Sequence, residues 1–160
     1  MWPLIIAHME VLKPRSVLDV GCGHGKAAVL CREYLPSVKL MVGVEAWRPY
    51  VETFRLESLY DVLYTSDITL LDDSALNSCE VVLMGDVIEH LDKDVALALL
   101  ARTNRTIVIC TPEHFFDNPE GMPWTETHRS HWVREDFERT GRLERYDMAH
   151  AGQVVTLRHQ

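Results

Sequence analysis

Val17-Leu18-Asp19-Val20-Gly21-Cys22-Gly23-His24-Gly25 is a short apolar run that ends in three glycines at alternate positions. Ser16 to Val20 is predicted to be a strand, short and apolar enough to lie in the middle of a sheet. The glycines that follow let the backbone turn tightly and approach a ligand with no Cβ atom in the way. In an open α/β sheet a ligand sits outside the carboxyl ends of the strands, beside the first of them. Read alone, the stretch points to a nucleoside-like ligand over a parallel sheet. Lys26 stands where a dinucleotide fingerprint places its third glycine, which close packing around a pyrophosphate requires. A ligand without a pyrophosphate fits the loop better.

Outward from this loop, β-branched runs alternate with helical stretches. A helix is expected over Lys26 to Leu35, with Val29, Leu30 and Tyr34 on its buried side and Pro36 ending it. Leu40 to Val44 reads as a second strand, and Pro49 to Leu59 as a helix opened by its proline. Val62 to Thr65 is a third strand and Glu80 to Met84 a fourth, its Val81-Val82-Leu83 buried on both faces. Asp92 to Arg102 is strongly helical, with acids at its start and a base at its end. Thr106 to Cys110 is a fifth strand, halted by Thr111-Pro112, and a long loop covers roughly Glu113 to His131. Arg134 to Thr140 is a short helix stopped by Gly141. Strands near Arg145 to Ala149 and Val154 to Arg158 form a hairpin about His150-Ala151-Gly152. The expected fold is therefore α/β: a doubly wound, mostly parallel seven-stranded sheet with a C-terminal antiparallel hairpin and helices on both faces. With no repeat or linker in sight, residues 1–160 are expected to form one domain.

Three further motifs fall where a nucleoside cofactor needs them. Glu45 closes the second strand, where a carboxylate can accept both ribose hydroxyls, and Ala46 and Trp47 are placed to flank an adenine. Asp67 follows the third strand and can accept the adenine amine, while the Ile68 N–H reaches a ring nitrogen. Asp86-Val87-Ile88-Glu89-His90-Leu91 leaves the fourth strand; Asp86 can bind the cofactor amine or line the acceptor site, with Val87 beside it.

Taken together these residues resemble the class I S-adenosylmethionine-dependent methyltransferases, from about Ser16 to Arg158. The resemblance implies S-adenosyl-L-methionine as cofactor, held by Asp19, Gly21, Cys22, Gly23, Glu45, Ala46, Trp47, Asp67, Ile68, Asp86 and Val87. His90, His128 and Asp86 are the catalytic candidates, the histidines as bases for an acceptor that must lose a proton. The leading assignment uses no metal and a small-molecule acceptor, with an RNA or protein acceptor left open. An alternative is similar to the small-RNA 2′-O-methyltransferases, in which Asp86, Glu89, His90 and His128 would hold Mg²⁺ or Mn²⁺ and lower the pKa of a ribose hydroxyl. Asp86 stands there in place of the expected Glu. A nicotinamide-dependent oxidoreductase and a non-catalytic partner of the same fold are the remaining readings. Only about 15 residues precede the first strand, so the pocket is expected to be open, or completed by a second copy or a partner subunit.

Composition sets the limits. A net charge of −8 argues against a broad electrostatic grip on nucleic acid. Arg102 and Arg105, and Arg139, Arg142 and Arg145, are read as solvated faces. No apolar stretch approaches a membrane span, the start lacks the basic leader and cleavage site expected of a signal peptide, and Cys22, Cys31, Cys79 and Cys110 are expected to be buried thiols of a cytoplasmic protein. The loop after the fifth strand concentrates histidines and aromatics, among them Phe115, Phe116, His128 and Trp132, and is expected to shape the acceptor site.

Overall fold

A computed structural model describes residues 1–114, 126–150 and 152–159. Its strands are β1 (Ser16–Val20), β2 (Leu40–Glu45), β3 (Val62–Thr65), β4 (Val81–Gly85), β5 (Thr106–Pro112), β6 (Leu143–Ala149) and β7 (Gly152–Leu157). Its helices are α1 (Trp2–Leu12), α2 (Lys26–Tyr34), α3 (Arg48–Thr53), α4 (Asp73–Leu76), α5 (Lys93–Arg102) and α6 (Arg134–Glu138). The strands form one sheet in the order β3-β2-β1-β4-β5-β7-β6. The first five run parallel, and β7 enters antiparallel between β5 and β6. This is the mostly parallel seven-stranded sheet with a C-terminal antiparallel hairpin expected from sequence; Ala151 in its turn lies outside the described residues. Strand order reverses between β1 and β4, so the crevice at their carboxyl ends is the switch point where such sheets bind ligands.

Each face of the sheet carries its own core. Leu18, Val20, Val82, Met84, Ile107 and Ile109 pack one side together with Ile88, Trp132 and Phe137. Val17, Leu83, Val108 and Cys110 pack the other with Ile5 and Met9 of α1 and Ala27, Ala28 and Cys31 of α2. The period of two along β1, β4 and β5 makes this division. All four cysteines are buried and free of disulfides.

Several local expectations change. The α2 face is the opposite of the expected one: Val29 and Tyr34 are exposed and the small Ala27, Ala28 and Cys31 are buried. A close approach to α1 and the sheet selects small side chains over large ones there. The helix expected over Pro49 to Leu59 breaks after Thr53, because Arg55 takes a left-handed conformation at φ +50°, and a separate 3-10 turn follows at Leu56–Ser58. Strand β5 does not stop at Cys110; pairing of Thr111 with Gln153 and of Pro112 with Gly152 carries it two residues further. Helix α1, which the sequence reading did not place, is pinned by buried His8, whose Nδ1 meets Thr156 Oγ1 at 2.7 Å and whose Nε2 meets Asp147 Oδ2 at 2.8 Å.

Of the basic groups, Arg105 and Arg139 are exposed as expected, whereas Arg102, Arg142 and Arg145 are half-buried and tie elements together. The Arg142 guanidinium donates to the Leu100, Thr103 and Arg105 carbonyls at 3.0, 2.8 and 2.6 Å, satisfying acceptors that the end of α5 leaves without helical partners. Arg102 donates to Asp73 Oδ1 and the Leu71 carbonyl, Arg105 to the Asn77 carbonyl, and Arg145 to Asp147. Among the described residues no helix is long and apolar enough to cross a membrane.

Candidate active site

Two adjoining cavities open at the carboxyl ends of β1, β2, β3 and β4. One, of about 130 Å³, is lined by Glu45, Ala46, Asp67, Ile68, Val87 and His90 among others. The second, of about 260 Å³, reaches toward Trp2, Asp19, Cys22, His24 and Lys26. Gly21, Gly23, Tyr50, Asp86 and Glu126 border both. The glycine loop thus lies between a smaller, more apolar recess and a larger, more polar one. Trp47 is not among the lining residues; its backbone N–H anchors Glu45 instead.

The loop is shaped by its glycines. Gly21 sits at φ +63°, and a Cβ there would lie 2.7 Å from Val87 Cγ2, so the turn after β1 and the turn after β4 touch with no room for a side chain. The Glu45 carboxylate ties this turn to the end of β2: Oε2 accepts from Gly23 N at 2.8 Å and Oε1 from Trp47 N at 2.7 Å. These backbone bonds fix both oxygens while leaving each a further acceptor position on the cavity side. Asp67 caps the 3-10 turn Ile68–Leu70, Oδ1 accepting from Thr69 N and Thr69 Oγ1 at 2.8 Å each.

Asp19 is buried at 3% exposure, and Tyr60 donates to its Oδ2 at 2.5 Å. Burial pushes its carboxyl up to about 7, with the Tyr60 hydrogen bond opposing the rise. Asp86 occupies a left-handed conformation at φ +55°, which presents its side chain to both cavities. Burial raises its pKa, and the neighbouring Cys110 thiol and the charges of His90 and His128 act the other way.

Beyond Asp86 the chain makes a 3-10 turn at Ile88–His90. Glu89, His90 and His128 gather there, with one ligand atom from each lying within 4.8 Å of the others. The His90 and His128 rings meet edge to face at 4.9 Å. Burial lowers the His128 pKa, and the neighbouring His90 lowers it further. Asp86 does not join this group of donor atoms. Glu89 is 2% exposed; its Oε2 accepts from Thr111 Oγ1 at 3.0 Å, and Oε1 is the one buried side-chain polar atom among the described residues with no hydrogen-bond partner. Burial pushes the Glu89 carboxyl up to about 8, and Asp86 adds to the rise.

The segment bearing His128 is registered on this turn by its backbone. Arg129 N and Ser130 N donate to the Glu89 carbonyl at 2.7 and 3.0 Å, and Ser130 Oγ and Trp132 Nε1 donate to the Ile88 carbonyl. Four contributors escaped the sequence reading: Tyr50, Tyr60, Thr111 and Glu126. Tyr50 donates to Glu126 Oε1 at 3.3 Å across the mouth shared by the cavities. No local motif marks such residues, since their role comes from contacts between distant elements. Phe115 and Phe116, expected to shape the acceptor site, lie outside the described residues.

Residues 18–106 match the family described as "Methyltransferase domain". A search of curated proteins gives no match. Among solved structures, the chain is similar to the methyltransferase domain of a bacterial CtHen1, at 17% identity and a TM-score of 0.66, over 98% of this chain and 96% of that one. It is similar to the small RNA methyltransferase HEN1 at 19% identity and a TM-score of 0.74, over 99% of this chain and 24% of that one. Magnesium protoporphyrin IX methyltransferase (ChlM) from Synechocystis PCC 6803, with bound SAH, is matched at 16% identity and a TM-score of 0.67, over 98% of this chain and 81% of that one. At these identities the likenesses show the fold.

Proposed function

The chain belongs to the methyltransferase-domain family of class I S-adenosylmethionine-dependent enzymes, and on that premise we propose that it transfers a methyl group from S-adenosylmethionine to an acceptor hydroxyl. That membership sets the nicotinamide reading aside. The observation behind the cofactor assignment is the cradle formed by Gly21, Gly23 and Glu45, bordered by Asp67 and Asp86. Glu45 receives the ribose hydroxyls, Asp67 and Ile68 the adenine edge, and Asp86 and Val87 face the sulfonium end. The methyl passes by in-line displacement; sulfur loses its positive charge as its bond to the methyl breaks, so no acid is needed on the leaving side. What the protein supplies is position, with the acceptor oxygen held about 3 Å from the methyl carbon on the sulfur axis, and a base, His90 or His128, that takes the hydroxyl proton as the oxygen–methyl bond forms.

Calorimetric titration tests this reading. S-adenosylmethionine and S-adenosylhomocysteine are expected to bind at micromolar concentration and NAD not to bind. Failure of both sulfur compounds to bind below about 1 mM, a binding free energy weaker than about 4 kcal/mol, would overturn it.

A specific observation favours metal-assisted methylation of a ribose hydroxyl over a small-molecule acceptor. A buried carboxylate with one orphaned oxygen, beside two imidazoles, suits a divalent cation, and similarity to a structure named as a small RNA methyltransferase supports the same direction. Glu89, His90 and His128 would hold the cation, which when bound supplies a lowered pKa at the acceptor hydroxyl. Asp86 then serves the cofactor and the acceptor. The net charge of −8 restricts RNA contact to the few nucleotides entering the site. Transfer of labelled methyl to small RNA, abolished by a chelator and restored by Mn²⁺, is the expected result. Chelator-resistant transfer, or transfer only to a small molecule, sinks this reading and leaves the cofactor assignment intact.

A further inference from the structure

We infer that Thr111 is a positioning residue for the candidate metal centre, its hydroxyl holding the Glu89 carboxylate so that Oε1 is the oxygen available to a cation; the inference rests on the metal-assisted reading above. On β5, Ile107 and Ile109 point into the core face that also holds Ile88 and Trp132. By the period of two, Thr111 is the next residue on that face, and it is 1% exposed. Valine has the same shape and would suit an apolar neighbourhood. Among the described residues the hydroxyl is explained by its bond to Glu89 Oε2 at 3.0 Å.

Both ends of this contact are fixed by backbone bonds. Thr111 and Pro112 are locked by pairing with Gln153 and Gly152 of β7, and Gln153 Nε2 further donates to the Pro112 and Trp132 carbonyls at 3.3 and 2.7 Å. On the other side, Arg129 N and Ser130 N hold the Glu89 carbonyl, which sets the segment carrying His128. Backbone bonds therefore place His128 relative to Glu89, and among the described residues Thr111 is the side chain that fixes how the Glu89 carboxylate is turned about its last torsion. That terminal torsion is soft, so without a donor the carboxylate samples many orientations. Outer-sphere hydrogen bonds of this kind are worth about 10–100-fold in metal affinity.

Mn²⁺ binding, followed by the electron paramagnetic resonance of the free ion, tests the role without reference to turnover. Thr111→Val is expected to weaken Mn²⁺ about 10–100-fold while leaving S-adenosylhomocysteine affinity as in the wild type. Thr111→Ser, which keeps the hydroxyl and loses the methyl, is expected to bind Mn²⁺ nearly as the wild type does. Equal Mn²⁺ affinity in Thr111→Val overturns the inference. So does loss of S-adenosylhomocysteine binding in that variant, or a Thr111→Ser as weak as Thr111→Val, since either makes the residue a packing element. Absence of Mn²⁺ binding by the wild type overturns the metal-assisted reading itself, and the role of Thr111 with it.

Discussion

The Tyr60 hydroxyl donates to Asp19 Oδ2 at 2.5 Å, joining the loop before β3 to the penultimate residue of β1 beneath the glycine turn. This contact alters how Asp19 serves the site. One of its oxygens is already committed to a protein donor, and burial holds the carboxyl up to about 7, far above its usual range. A carboxyl whose folded pKa is raised contributes stability that is present below its unfolded value and is lost as pH rises through the folded one. Between about pH 4 and pH 7 Asp19 therefore makes the cofactor-free protein less stable with rising pH. Urea unfolding at pH 5 and pH 8 is expected to show a smaller fall in stability for Asp19→Asn than for the wild type. Identical falls would remove the assignment. Tyr60→Phe, which strips the donor from the buried carboxyl, should cost about 1–3 kcal/mol.

His8 has the opposite sign. Burial lowers its pKa, although the hydrogen bond that His8 donates to Asp147 opposes this. A histidine with a lowered folded pKa contributes stability at neutral pH that is lost as pH falls below about 6.5. Acid unfolding of His8→Gln should therefore show a shallower decline from pH 7 to pH 5 than the wild type, whatever its stability at pH 7. A steeper decline would place the acid sensitivity elsewhere.

Gly21→Ala puts a Cβ into Val87 at a positive φ that alanine reaches only with strain. The cost is expected to be about 1–3 kcal/mol, with at least a tenfold loss of S-adenosylhomocysteine affinity as the turn moves off its ligand. Adding Val87→Ala removes the clash but keeps the backbone strain, so calorimetry should find affinity partly restored. Full wild-type affinity in Gly21→Ala alone would show that the turn has room to spare.

Glu45→Gln keeps an acceptor for one of the two backbone donors, Gly23 N and Trp47 N, and loses the charge that strengthens both bonds. Cofactor affinity is expected to fall about tenfold to a hundredfold, corresponding to hydrogen bonds to a charged group at about 1.5–3 kcal/mol. Titration with S-adenosylhomocysteine and with adenosine separates the contributions. A loss seen equally with both places the effect at the ribose, and a loss seen with neither contradicts the role.

The strands were readable because each rests on local information. A β-branched run, a glycine spacing and an acid at a strand end all lie within ten residues. The buried face of α2 was misread because large apolar side chains were weighed above small ones, whereas contact with α1 selects Ala27, Ala28 and Cys31. Helix α3 was overextended because nothing in the residues around Arg55 announces a left-handed turn. The metal-like group was legible as a list of Asp86, Glu89, His90 and His128, of which the structure gathers the last three. Its geometry was not, because it depends on Thr111 lying in a strand extension that β7 creates.

That extension also sets an order in time. The residues proposed to cradle the cofactor, from Gly21 to Val87, lie at the ends of strands that pair with one another within the first half or so of the chain. Thr111 is held only when Gln153 arrives opposite it, some forty residues later. A chain growing from the ribosome can therefore assemble its cofactor half before the acceptor half has a framework. Truncation or strain near the C-terminus should leave a protein that still captures the methyl donor and has nowhere well defined to deliver it.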